Sequence, residues 1–416
     1  MTGWLDSWLA RALSGTGVAL HGTPEAEAEA ADFVVEVANP VRAAAMILAP
    51  EYRIPDGYVR GYWRLAKGDL GDFARHMMDR SGGGLMSRFT SQKSRRASFR
   101  HLWQHWVTPV RATRAVQGHY DIDDRIYQLI LDEEMVYTAA FFEEATNLYD
   151  AQQAKMARIV ERLDIPQGAR VLDIGCGWGS LARHIVRARP DVHVTGITIS
   201  PGQLDFARAH NAAALSDDEQ ARVDLRLEDM RDFRPERPFD AVVSVGVFEH
   251  VGRSLYGDFF RSCARLCAPE GRILVHTILK NRSGIPTNRW IDRHIFPGGY
   301  IASLAEIATA SEAAELDMTA SHLHGPMNYG NTCRAWRRNL TDNRAAIMEI
   351  YTGDHGLSEA EAGRAFRTWE IYLAGAEAGF LTRYRPMQTA QIVFEPTGVS
   401  GARVLDTPTE LSVVAE

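Results

Sequence analysis

Val171-Leu-Asp-Ile-Gly-Cys-Gly-Trp-Gly179 decides the reading of this chain. A short apolar run ends in an aspartate and then in three glycines at alternate positions. An apolar run closed by glycines reads as a buried strand that turns sharply into a helix. Glycine has no Cβ, so backbone N–H groups in such a loop can come close to a ligand. The next residues, Ser180-Leu-Ala-Arg-His-Ile185, open a helix whose first N–H groups and dipole favour a carboxylate or a phosphate. The stretch therefore predicts a cofactor cradle beyond the C-terminal end of a parallel strand.

Two familiar glycine loops fit poorly. A P-loop places Lys and Ser/Thr after its last glycine, whereas Ser180-Leu-Ala follows here. The dinucleotide fingerprint spaces its glycines G-x-G-x-x-G and puts an acid about 20 residues on. Here the glycines stand at Gly175, Gly177 and Gly179, and the next strand, Val192 to Ser200, ends in hydroxyls. The pattern D-x-G-x-G-x-G that starts at Asp173 resembles motif I of S-adenosylmethionine-dependent methyltransferases.

The chain has 416 residues, too many for one compact core, so two domains are expected. No apolar run approaches the roughly 18–20 residues of a membrane span. The start, Met1-Thr-Gly-Trp-Leu-Asp6, has neither a basic region nor a continuous apolar run, so no secretory signal is expected. The four cysteines, Cys176, Cys263, Cys267 and Cys333, show no pairing by spacing and suggest reduced thiols in a cytoplasmic protein. Cys263 and Cys267, four apart on an expected helix, read as core residues and not as metal ligands, and no metal site is expected.

The net charge of −7 is unevenly spread. Residues 81–120 contain no Asp or Glu but carry Arg88, Lys93, Arg95, Arg96, Arg100, Arg111 and Arg114, with Trp103 and Trp106 among them. Cations interleaved with amphipathic aromatics suit an anionic bilayer surface. A solvated basic face or a linker is the plainer alternative. An acidic protein with no recognised binding module argues against nucleic acid. At the N-terminus Trp4, Leu5, Trp8, Leu9, Ala12 and Leu13 recur with helical spacing, which fits a membrane interface, a dimer contact or packing on the protein's own core.

The expected organisation is an N-terminal α+β domain over residues 1–105, for lipid, membrane or dimer contact; a basic linker over 106–118; an α/β domain over 119–395; and a flexible tail over 396–416. Strands are expected at 170–174, 192–199, 223–227, 240–245, 272–277 and near 390–394. Helices are expected at 150–163, 180–188, 202–213, 255–266, 302–314, 331–352 and 358–381. That alternation implies a Rossmann-like, doubly wound and mostly parallel sheet with helices on both faces.

Several motifs in order resemble the cyclopropane-fatty-acid synthase family and its mycolic-acid-modifying relatives. They are Gly118-His-Tyr-Asp-Ile122, Met135-Val-Tyr-Thr138, Ala151-Gln-Gln-Ala-Lys155, the glycine loop, Gly196-Ile-Thr-Ile-Ser200 with Gln203, Ser244-Val-Gly-Val-Phe-Glu-His-Val-Gly252, His276-Thr-Ile278, and Trp290 to Tyr300. Asp56-Gly-Tyr-Val-Arg-Gly-Tyr-Trp63 resembles a motif of the family's N-terminal domain. The resemblance implies a class I methyltransferase domain. It implies methyl or methylene transfer from S-adenosylmethionine to the cis double bond of an unsaturated phospholipid acyl chain at the inner face of the membrane, by a cytoplasmic, peripherally bound homodimer.

Carried over by position, Gly175, Gly177 and Gly179, after Asp173, hold the methionine part of the cofactor. Tyr137 and Thr138 reach its carboxylate, Thr198 and Gln203 flank its ribose, and Asp229 and Met230 contact its adenine. Tyr127 and Tyr329 are implied as aromatic faces for an acyl cation. A bicarbonate base is implied at Glu249, His276, Ile278 and Tyr329, which makes Glu249, His276 and Tyr329 the catalytic candidates. Three positions depart from the family. Ala139 stands where the family has cysteine, Asp123-Asp124-Arg125 stands where it often has Gly-Asn-Asp, and Leu279 follows His-Thr-Ile, expected as a bulky side chain beside the site. These departures leave two alternatives open. One is a methyltransferase-like, FAD-dependent fatty-acyl desaturase with a partner oxidoreductase; the other is a non-catalytic lipid-binding relative.

Overall fold

The computed structural model describes residues 16–21, 29–46, 49–81, 123–383 and 387–397. Three short strands come first, β1 (Val18–Leu20), β2 (Phe33–Val37) and β3 (Trp63–Lys67), with helices α1 (Pro40–Met46), α2 (Pro50–Val59) and α3 (Leu70–Ser81). β1 lies parallel and β3 antiparallel to β2. The basic segment and the Trp4–Leu13 stretch fall outside the described residues, as do the expected 106–118 linker and all of the tail beyond 397.

After α4 (Asp124–Ile130) and α5 (Leu148–Leu163), strands and helices alternate. The order is β4 (Arg170–Ile174), α6 (Ser180–Ala188), β5 (His193–Thr198), α7 (Pro201–Ala214), α8 (Asp217–Ala221), β6 (Val223–Leu227), β7 (Phe239–Val245), α9 (Phe248–Val251), α10 (Tyr256–Leu266) and β8 (Cys267–Leu279). Then come α11 (Arg289–His294), α12 (Leu304–Glu312), β9 (Leu316–His324), α13 (Pro326–Asp342), α14 (Arg344–Glu349), α15 (Glu359–Leu381) and β10 (Gln388–Pro396). Seven strands form one sheet in the order β6-β5-β4-β7-β8-β10-β9. It is parallel from β6 to β8, and β10 runs antiparallel to both β8 and β9. The chain reverses its direction of winding between β4 and β7, where a doubly wound sheet opens its ligand crevice.

β4 is the centre because both its faces are covered. Val171, Leu172, Asp173 and Ile174 are all buried, the unbroken burial of a parallel strand sandwiched by helices. On one face α6 buries Leu181, Ala182, Ile185 and Val186. On the other, α10 buries Tyr256, Phe259, Phe260, Cys263 and Leu266, a stripe at helical spacing. Each such aliphatic or aromatic side chain contributes about 1.5–3 kcal/mol by leaving water. All four cysteines are buried, free thiols; Cys267 opens β8 and does not continue the helix.

The short helices α4, α8, α9 and α11 were not expected, and β9 and α13 also differ from the sequence expectation. β9 was not expected, because Leu316-Asp-Met-Thr-Ala-Ser-His-Leu-His324 is mostly polar. It is an edge strand whose burial alternates residue by residue, so only one face needs apolar side chains. α13 begins at Pro326, ahead of the expected 331, despite a glycine at 330. Gly330 sits where α13 meets α15: a Cβ there would lie 2.4 Å from Leu381 Cδ2. The single long helix expected to 352 is divided at Asn343, and α14 leads into a π turn over Ile350–Asp354.

The N-terminal elements do not keep an apolar core to themselves. One cluster runs from Val18, Phe33, Trp63 and Phe73 through Tyr127, Trp178 and Trp336 to Trp369 and Leu373. α15 packs against α2, α3 and α13. Arg337 of α13 pins this junction. Its Nη1 and Nη2 donate to Asp69 at 2.9 and 2.8 Å, and its Nε donates to the buried Glu377 of α15 at 3.0 Å.

Candidate active site

A cleft of about 230 Å³ opens at the C-terminal ends of β4, β5 and β7. Tyr137, Thr138, Asp173, Gly175, Gly177, Thr198, Gln203, Asp229 and Met230 all line it. Gly179, the tenth residue expected around a cofactor, is not in the lining; it caps the N-terminus of α6 with φ +80°. The loop is shaped by backbone. Gly175 and Cys176 N–H both donate to Ile197 O, at 2.9 and 3.1 Å, which ties the loop to β5. Gly175 has φ +75°, and a Cβ there would lie 2.3 Å from Val247 Cγ2. No side chain larger than hydrogen fits between the loops that follow β4 and β7.

Beyond β5, Ser200 caps α7 by accepting from Gln203 N at 3.4 Å, and Thr198 Oγ1 accepts from Ser200 N at 3.2 Å. Thr198 and Gln203 thus face the cleft from one turn. On the far wall Asp229 is held by Arg231, whose N and Nε donate to Oδ1 at 3.0 and 2.8 Å. Burial pushes the Asp229 carboxyl up, but the Arg231 contacts prevail and keep it below the usual carboxylate range. Asp173, at the root of the loop, is 2% exposed and its Oδ2 has no hydrogen-bond partner. Burial raises it to about 7, against the pull of Lys155.

None of the three catalytic candidates is among the residues that line this cleft. Glu249 is on α9, just past β7. Its Oε1 accepts from Ile278 N at 2.6 Å, while Oε2 is buried with no partner. Burial raises its carboxyl. His276 of β8 is buried, and its Nδ1 also lacks a partner. Burial holds the imidazole well below its ordinary value, and the charges of Lys155, His324 and Arg162 add to that, so it is neutral at physiological pH. The Glu249–Ile278 bond ties Glu249 to β8 two residues along the strand from His276. Tyr329 lies on α13 with its ring 4.7 Å from Phe380 and 6.0 Å from Trp336, so it belongs to the helical wall and not to the sheet edge. Tyr127 is fully buried, 5.3 Å from Tyr137 and 4.9 Å from Trp178.

Leu279 is 1% exposed and is not among the residues that line the cleft. It is buried with Ile273 and Val275, its alternate neighbours on β8, on the sheet face opposite His276. Ala139 is buried next to the segment that carries Tyr137 and Thr138.

Sequence reasoning assigned no role to four residues that the fold places at the cleft. Lys155, Trp178 and His250 line it, and Gln152 braces the 136–138 segment. Burial lowers His250 to about 4. Trp178 Nε1 donates to Asp124 Oδ1 at 2.9 Å, so one of the unusual acids, the first residue of α4, anchors the glycine loop. A signal for Gln152 and Lys155 was available: two polar residues one turn apart on the apolar face of α5.

The model for the family described as mycolic acid cyclopropane synthetase matches residues 108–392. The cyclopropane-fatty-acyl-phospholipid synthase of Escherichia coli strain K12 is 31% identical over 415 residues, covering 96% of each chain. Cyclopropane mycolic acid synthase 2 of Mycobacterium leprae is 31% identical over 295 residues, 65% of this chain and 90% of that one. Among solved structures, a mycolic acid cyclopropane synthase complexed with SAH and CTAB superposes with a TM-score of 0.59 at 27% identity, covering 68% of this chain and 97% of the other. The switch-point cleft, the glycine loop that closes on β7 and this agreement along almost the whole length have one reading: the chain belongs to the mycolic acid cyclopropane synthetase family, with the fold of a class I methyltransferase.

Proposed function

We propose that the protein transfers the methyl carbon of S-adenosylmethionine to the cis double bond of an unsaturated phospholipid acyl chain and closes a cyclopropane ring. The observation that carries this reading is the cleft at the β4/β7 switch point, together with two buried atoms that have no protein partner, Glu249 Oε2 two residues past the lining Val247 and His276 Nδ1 on the strand paired with the lining Val245. S-adenosylmethionine supplies an electrophilic methyl on a sulfonium. The glycine loop, Tyr137 and Thr138 hold its amino-acid end, Thr198 and Gln203 its ribose, and Asp229 and Met230 its adenine.

The alkene's π electrons form the new C–C bond as the S–CH3 bond breaks, which leaves a positive charge on an acyl carbon. Because an alkene is a weak nucleophile, positioning in line with the methyl supplies much of the rate. Tyr127 and Tyr329 present aromatic faces that stabilise the charge without attacking it. Loss of one proton from the transferred methyl then closes the ring. A bicarbonate ion, the family's base, fits the donor set here. The neutral His276 and the Glu249 carboxyl, whose pKa is raised, offer it a hydrogen-bonding cradle, and both have atoms to spare. With Ala139 in place of the family's cysteine, the cradle rests on Glu249, His276 and Tyr329.

The acyl chain lies in a membrane leaflet, so the protein works at the cytoplasmic face as a peripheral enzyme, and we place two copies in its working assembly. No helix among the described residues is long and apolar enough to cross a membrane. The family match supports methyl transfer and lends no weight to the flavin-dependent reading. The test is incubation with vesicles of unsaturated phospholipid and S-adenosylmethionine. Release of S-adenosylhomocysteine that depends on both protein and double bond supports the proposal; release that does not depend on the double bond rejects it.

A further inference from the structure

Gln152 and Lys155 of α5 are among the most deeply buried polar side chains, 0% and 1% exposed. Both serve the Val136–Thr138 segment. Gln152 Nε2 donates to Val136 O at 3.2 Å and to Thr138 O at 2.9 Å. Lys155 Nζ donates to Thr138 Oγ1 at 2.6 Å and to Gln152 Oε1 at 2.7 Å. Neither residue has a part in methyl transfer or ring closure as derived above. Lys155 forms no ion pair among the described residues. Asp132 and Asp173 act on it only at longer range, and each keeps an Oδ2 buried with no partner. Keeping an ammonium buried without a paired carboxylate is costly, which asks for a use.

The use follows from the hydrogen-bond inventory. An ammonium can only donate, while a threonine hydroxyl has one proton to give and lone pairs with which to accept. In its ammonium form, which burial confines to pH below about 7 against the pull of Asp132 and Asp173, Lys155 occupies a lone pair of Thr138 Oγ1, so the Thr138 proton points away from it. No protein acceptor among the described residues takes that proton, and Thr138 lines the cleft. We propose that Lys155 is a positioning residue for the cofactor: by donating into Thr138 Oγ1 it turns that hydroxyl's proton into the cleft, where the carboxylate of S-adenosylmethionine accepts it. The ammonium also polarises the O–H bond, which strengthens the hydrogen bond to an anion in a low-dielectric site. This inference rests on the methyltransferase reading, because it needs a ligand with a carboxylate at Thr138.

Calorimetric titration of the full-length protein with S-adenosylhomocysteine and, separately, with methylthioadenosine tests it. The second ligand keeps adenine, ribose and sulfur but has no carboxylate. Lys155→Met is expected to weaken S-adenosylhomocysteine by about 10- to 100-fold, the loss of a hydrogen bond to a charged group, and to leave methylthioadenosine within about twofold on the same scale. Equal weakening of both ligands would show a merely structural lysine and overturn the inference, and so would no weakening of either. If Lys155→Met does not fold, Thr138→Val carries the test, since it removes the hydroxyl through which Lys155 acts. The same split between ligands is expected, and its absence is equally fatal. A wild-type protein that binds methylthioadenosine but gains nothing from the carboxylate refutes the inference alone. One that binds neither ligand refutes the cofactor reading as well.

Discussion

Replacing Gly175 by alanine puts a methyl group where the structure has no room for one. The backbone there has φ +75°, and the new Cβ would lie 2.3 Å from Val247 Cγ2. Holding an alanine in the left-handed region costs about 1–2 kcal/mol. Overpacking against Val247 adds about 1–3 kcal/mol, so the sum is about 2–5 kcal/mol from these two terms. Gly177→Ala is the internal control. It has φ +53° but open space around a Cβ, so only the conformational cost of about 1–2 kcal/mol applies. Urea unfolding of both variants reads the stabilities, and titration with S-adenosylhomocysteine reads the loop. Gly175→Ala should be the less stable and bind far more weakly, and Val247→Ala in the Gly175→Ala background should recover part of the loss. Equal destabilisation by the two alanines, or no recovery from Val247→Ala, would refute the argument that the loop after β7 sets the shape of the glycine loop.

The buried charges beneath the cleft give stability a signed pH dependence. Asp173 and Asp132 are raised from 3.8 to about 7 and about 6. Over that window the folded protein holds protons that the unfolded chain has released, so stability falls as pH rises from about 4 to 7. Lys155 is lowered from 10.5 to about 7, so above neutrality the unfolded chain binds the extra proton and stability rises again towards pH 10 or so. His250 and His276, held below their ordinary values, contribute the opposite slope between about pH 4 and 6.5. The check is therefore the difference in urea midpoint between wild type and Asp173→Asn. The variant should gain on the wild type as pH rises from about 4 to 7, and a difference that does not change with pH contradicts the assignment. Glu249→Gln and His276→Ala are each expected to lower turnover by at least about 100-fold while leaving S-adenosylhomocysteine affinity unchanged, as read by single-turnover assay and calorimetry; loss of affinity instead would move them from the reaction to the cofactor. Arg337→Met leaves Glu377 buried with Arg334 as its remaining cation, so it should cost about 3 kcal/mol in urea unfolding. A neutral result would mean that the α3–α13–α15 junction does not depend on its ion pairs.

Much of the sheet was legible because its central strands obey a simple rule. Val171 to Ile174 and Ala241 to Val243 are apolar throughout or nearly so, and only a strand covered on both faces asks for that. The lining of the cleft was legible for the same reason that the cleft exists: loops leaving neighbouring parallel strands need glycine or hydroxyl residues at fixed places. β9 was illegible because an edge strand spends few apolar residues, and Met318 and Ala320 do not stand out among Asp317, Thr319 and Ser321. The direction of Leu279 could not be read without the register of β8, since a one-residue shift turns a side chain to the other face. Lys155 was hidden differently. Its motif was visible, but its meaning depends on Thr138, 17 residues away, and on a burial that a charged residue does not advertise.

Expression in a bacterium whose phospholipids carry monounsaturated chains, fed methionine with a deuterated methyl group, tests the central claim most directly. Mass spectrometry of the fatty acids follows. The account predicts a new acid heavier than its precursor by one methylene, carrying two of the label's three deuterons and no remaining double bond, and its disappearance in Glu249→Gln. Fatty acids that gain no labelled carbon, or that lose two hydrogens and gain a double bond, would contradict it.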